Sequence, residues 1–177
     1  MILMESIKIP EGVKVSVSGD MVLTSGKLGG NSRRFNMAYV DVKVNGDIVE
    51  ISTTDSKKLA KDALRVAKAF ASELRNDMEG VQEGYTIKMS VVFSHFPLTL
   101  EASGDKVIIK NMLGERYPRY SGIVGKTKVE IKGNDVKISG TSKDDVSQTA
   151  ANLRKASKIR KKDERIFQDG VYYAVEV

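Results

Sequence analysis

Arg154, Lys155, Lys158, Arg160, Lys161, Lys162 and Arg165 place seven cations in twelve consecutive positions near the end of a 177-residue chain. Like charges at that density repel one another unless an anion lies opposite. Cations in the last turn of a helix meet the negative end of its dipole, which accounts for two or three of the seven. Lys106, Lys110, Arg116, Arg119, Lys126 and Lys128 add to them, and Arg116-Tyr117-Pro118-Arg119-Tyr120 interleaves guanidinium groups with aromatic rings. Arginine grips phosphate bidentately and tyrosine offers a face to an unpaired base, so the composition suits RNA. A solvated surface of mixed charge is the plainer alternative.

Other chemistry finds little support. His95, in Ser94-His95-Phe96-Pro97, is the sole histidine and the chain has no cysteine, whereas a transition-metal site needs three or four converging ligands. Two roles stay open for His95, a structural hydrogen bond or an RNA contact. GIVGKTK at 122–128 resembles a phosphate-binding loop, but Tyr120 stands where the first glycine belongs and the segment enters a strand instead of a helix. The carboxylates lie in turns or among lysines, with no spacing that marks a catalytic pair. No cofactor, metal or small-molecule substrate is expected.

The hydrophobic fraction of 41% is enough for a real core. Net charge is +6, and it is uneven: residues 1–92 carry 13 basic and 12 acidic groups, and residues 93–177 carry 16 and 11. The second half is therefore the expected polyanion-binding half. No apolar run approaches a membrane span, and MILMESIKIP lacks the pattern of a signal peptide. A cytoplasmic protein without a membrane partner is expected.

The elements that position these cations are repeated. KVSVSGDMVLTSGKLGG at 14–30 answers TLEASGDKVIIKNMLGE at 99–115, and VDVKVNGDIVEIST at 40–53 answers TKVEIKGNDVKISG at 127–140. A module of about 85 residues thus occurs twice. Period-two alternation, as in Val40, Val42 and Val44, predicts strands. Asn45-Gly46-Asp47 and Gly133-Asn134 predict tight hairpin turns, and Gly170 in Phe167-Gln168-Asp169-Gly170 a third turn in which Asp169 bonds its own backbone. Leu59, Ala63, Val66, Ala67, Phe70 and Leu74 make one helical stripe. Val146, Ala150 and Leu153 make another, opened by Ser142 and Asp145 at capping-box spacing. The expected fold is α+β, two tandem similar domains at 1–82 and 83–177, each an antiparallel sheet packed against a helix. GVQEGYTIKMSVVF at 80–93 is the expected hinge.

Several segments resemble the family of large-subunit ribosomal proteins numbered six. ISGTSKDDVSQTAANL at 138–153 is similar to the family signature at the start of its final helix, with Ser147 where a glycine is usual. RIFQDGVYY at 165–173 resembles the archaeal and eukaryotic form of the tail, while FSHFPLTL and NMLGERY fit the opening of the second domain. The resemblance implies a non-enzymatic, ribosome-bound protein that binds 23S-type large-subunit rRNA chiefly through its second domain. It places that contact near the sarcin-ricin loop and the stalk base, beside neighbouring large-subunit proteins. The cationic run would then face rRNA, and Val171, Tyr172 and Val175 would return to the sheet. A two-domain module for an acidic protein partner and a small enzyme are the rival readings.

Overall fold

The structure, a computed structural model, describes residues 5–53, 60–94, 96–160, 162–163 and 165–174. The chain divides into two compact units between Gly84 and Tyr85, and each unit follows one plan.

In the first unit the strands are β1 (Glu5–Lys8), β2 (Lys14–Ser18), β3 (Met21–Gly26), β4 (Gly29–Arg34), β5 (Val40–Asn45) and β6 (Ile48–Thr53). They form two antiparallel three-stranded sheets, ordered β1-β6-β5 and β2-β3-β4. Helix α1 (Ala60–Gln82) covers them. In the second unit β7 (Tyr85–Val92), β11 (Lys128–Lys132) and β12 (Asp135–Gly140) repeat the first sheet. β8 (Thr99–Ser103), β9 (Lys106–Lys110) and β10 (Arg119–Gly122) repeat the second, under helix α2 (Lys143–Ala156). A strand without counterpart, β13 (Gly170–Tyr173), pairs with the free side of β7 and gives the order β11-β12-β7-β13. The fold is α+β with antiparallel sheet and helix in each unit, as the periodicity predicts.

The hairpin glycines explain the shared register. Gly46 (φ +59°) and Gly133 (φ +60°) each open a two-residue loop, between the pairs Asn45↔Ile48 and Lys132↔Asp135. A residue with Cβ resists that left-handed conformation, so the turn and the strand pairing are set together.

Each unit has its own core. Val22, Val40, Val49, Ile51, Phe70, Leu74 and Val81 cluster in the first, and Met89, Ile109, Met112, Ile138, Val146 and Leu153 in the second. The expected α2 stripe of Val146, Ala150 and Leu153 is buried, and Ser142 Oγ accepts from Asp145 N–H at 3.3 Å, capping the helix. In α1 the stripe of Ala63, Ala67, Phe70 and Leu74 is buried, but Val66 is 37% exposed. The helix rotates it off the covered face and continues inward through Ala71, Met78 and Val81 instead. Helix α1 also runs through Gly80, which the sequence assigns to the hinge segment. Leu59, Lys57, Lys58 and Val175 lie outside the described residues.

Arg33 ties β4 to α1. Its guanidinium donates twice to Asp77, at 2.5 and 3.0 Å, and once to Glu73 at 3.0 Å. Asp77 is only 3% exposed, and this bidentate pairing satisfies a carboxylate that burial would otherwise penalise.

Candidate nucleic-acid interface

The cationic run begins inside α2 and continues past its end, so the helix C-terminus decides where the charges go. Ser157 closes the helix: its N–H donates to Leu153 O and its hydroxyl to Arg154 O. The same hydroxyl accepts from Val171 N–H at 3.1 Å, pinning the helix end to β13. Carbonyls of the last turn lack intrahelical donors, and Arg119 serves that end, donating from Nη1 to Ala156 O at 3.0 Å and Lys158 O at 2.9 Å. The other side of its guanidinium binds both oxygens of Glu115, with Nε to Oε2 at 2.7 Å. This hydrogen bond, chiefly, holds the Glu115 carboxyl below its ordinary value and raises Arg119 further.

Arg116 and Tyr117 lie between Glu115 and Arg119 in sequence, and Arg119 bonds the chain at Ala156, the last residue of α2, and at Lys158 just past it. Tyr117 is 78% exposed, and Arg116, Lys155, Lys158 and Arg160 are exposed as well. The loop leading to Tyr117 is strained. Asn111 (φ 59°), which precedes a 3-10 turn at Met112–Gly114, and Leu113 (φ 50°), which lies within it, are left-handed. Each such residue costs on the order of 1–3 kcal/mol and persists where its surroundings hold it. Asn111 Nδ2 donates to Pro97 O at 3.0 Å, and the Phe96 ring lies against Gly114.

The remaining cations divide. Arg154 stacks its guanidinium 4.3 Å from the Tyr172 ring centre, and Lys162 sits 4.6 Å from that of Phe167. Arg165 pairs with Asp163 at 2.9 Å, and that contact draws the Asp163 carboxyl below its ordinary value. Lys126 and Lys128 are exposed at the other end of α2: Gly125, next to Lys126, approaches the Asp145 carboxylate in the first turn. Fourteen residues of helix, about 21 Å, separate that end from the Lys155 end. His95 and Lys161 lie outside the described residues.

At the third predicted turn, Gly170 (φ +156°) starts β13 with Ser157 O and the Tyr172 ring at contact distance of a Cβ placed there. One Asp169 oxygen accepts from the N–H of Ser94 at 2.7 Å, across 75 positions of sequence.

Residue patterns alone miss the helix-capping work of Arg119 and the strained pair Asn111 and Leu113. Asparagine tolerates the left-handed region and is a weak local signal; leucine gives none.

A sequence model of the family described as Ribosomal protein L6 matches residues 96–170. Over nearly the full chain the similarity is to archaeal proteins named large ribosomal subunit protein uL6. Identity is 43% with that of Methanocella arvoryzae, over 94% of this chain and 93% of the relative. It is 42% with that of Methanobrevibacter smithii, over 95% and 93%, and 38% with that of Aeropyrum pernix, over 96% and 92%.

Proposed function

Because the chain belongs to the uL6 family of large ribosomal subunit proteins, we propose that it binds 23S-type rRNA through its second unit, near the sarcin-ricin loop and the stalk base. Membership makes it a ribosomal protein and not an enzyme. In this reading it is cytoplasmic and ribosome-bound, and it meets neighbouring large-subunit proteins at the stalk base.

The observation that carries the proposal is the grouping of Arg116, Tyr117, Lys155, Lys158 and Arg160 about one end of α2, held there by Arg119. Cations in such a patch meet phosphates and fix register, and the exposed ring offers a platform for an unpaired base. Lys126 and Lys128 are a second, separate point of contact in this reading. Gly46, Gly133 and Gly170 serve the fold.

Replacing Arg116, Lys155, Lys158, Arg160 and Lys162 together by glutamine tests the proposal. Against a large-subunit rRNA fragment containing the sarcin-ricin loop, the slope of log affinity with log salt should fall by about three to four units. An unchanged slope in a variant of unaltered circular dichroism would move the binding surface elsewhere. Equal affinity for an acidic protein of similar charge density would favour the interaction-module reading.

A further inference from the structure

The duplicated sheets differ in one respect: the second has a strand that the first lacks. β1 and β7 are counterparts, each pairing antiparallel with the second strand of a glycine-led hairpin. Each is followed by the same extra bond, Ile9 N–H to Asp47 O and Val91 N–H to Asn134 O, both 2.8 Å. This matches Ile9 with Val91, Lys8 with Ser90 and Ser6 with Lys88. In the second unit β13 lies along the far side of β7, with Val171 opposite Val91 and Tyr172 opposite Ser90, and Ala174 N–H donating to Lys88 O. Among the described residues no strand pairs with the far side of β1.

Alternation along an antiparallel strand decides which groups are left over. Ile9 turns its N–H toward the hairpin, so Ile7 does too, and Ser6 and Lys8 turn theirs outward. The apolar neighbours register the difference. Val91, covered by β13, is buried, while Ile9 packs on the first core but stays partly exposed.

We propose that the free edge of β1 is a docking site for an extended segment of a protein neighbour, which adds a fourth strand to the first sheet as Gly170–Tyr173 adds one to the second. This mode of recognition draws affinity from main-chain hydrogen bonds and specificity from alternate side chains. The register of β13 gives the segment its chemistry: a β-branched residue opposite Ile9, and an acidic one opposite Lys8, where cross-strand charge pairing is favourable. β1 is four residues long and carries a lysine, two features that keep an edge from pairing with copies of itself. The occupant is therefore a segment fixed beside the edge by a larger assembly, not a second copy. The proposal rests on the reading that this assembly is the large ribosomal subunit.

The chain has no cysteine, so Ser6→Cys provides a single attachment point for a short-armed photo-crosslinker in assembled subunits. A crosslink to an extended run of a protein neighbour is expected. In the unmodified chain, amide exchange at Ser6 and Lys8 should slow at least about tenfold on assembly, while Ile7 is protected before and after. Crosslinks to rRNA alone or to a second copy, or unchanged exchange at Ser6 and Lys8 within the subunit, would overturn the proposal. Should the unmodified chain fail to enter large subunits at all, the ribosomal reading itself falls, and the docking proposal with it.

Discussion

Asp77 is a buried carboxylate on which the first unit depends. Its carboxylate is buried and answered by two hydrogen bonds from Arg33. Asp77→Ala leaves a largely buried guanidinium without its bidentate carboxylate partner, at a cost of about 3 kcal/mol. Urea denaturation should show that loss, and a change below about 1 kcal/mol would mean that solvent replaces the pair. Glu115 offers a test by pH. Its carboxyl is lowered by the Arg119 hydrogen bond, so its contribution to stability is fully present above the ordinary glutamate range, about 4.3. It is lost as pH falls from there through the lowered value. Glu115→Gln should therefore flatten the acid limb of the stability curve; an acid limb identical to that of the parent chain would dissociate the pair from stability.

Among the elements, β13 is held at its first residue. A Cβ at Gly170 would crowd the Tyr172 ring at 3.3 Å and meet Ser157 O at 3.4 Å, at a φ of +156° that side chains resist, loosening the joint between α2 and the sheet edge. Gly170→Val should lower the melting temperature of the free protein, and weaker RNA binding at unchanged melting would assign the glycine to the interface instead. This joint also shows where sequence patterns stop. Val40, Val42, Val146 and Leu153 are legible because period and burial coincide, and Gly46 and Gly133 because a turn's φ is a property of one residue. The work of Arg119 is not legible, since the carbonyls it serves lie 37 and 39 positions away. Arg154 reads as one more phosphate ligand in a basic run until Tyr172 is seen beneath it. The extension of α1 to Gln82 is likewise hidden, because Gly80 reads locally as a breaker although its tertiary setting is buried.

At the scale of the whole molecule the two units carry unequal charge, and their shares of RNA binding should be unequal too. Substituting Lys61, Arg65 and Lys68 of α1 and Lys43 of β5 should alter the salt dependence far less than neutralising the patch around Tyr117. Equal losses from the two sets would show that the cations of the second unit merely solubilise its surface. The duplication itself was legible through its repeated turns, but the divergence between the copies was not. Arg33 stands opposite Val22 in β4 at the position that Ser121, opposite Val107, takes in β10. One copy has a buried ion pair there; the other has a buried hydroxyl with no hydrogen-bond partner among the described residues. Tandem copies of one fold risk exchanging parts while the chain collapses. Here the wrong helix is penalised in both directions, since α2 laid on the first sheet brings no Asp77 to Arg33, and α1 laid on the second buries Asp77 against a serine. The same contact that stabilises the first unit thus acts as a proofreading mark, telling each helix which sheet is its own.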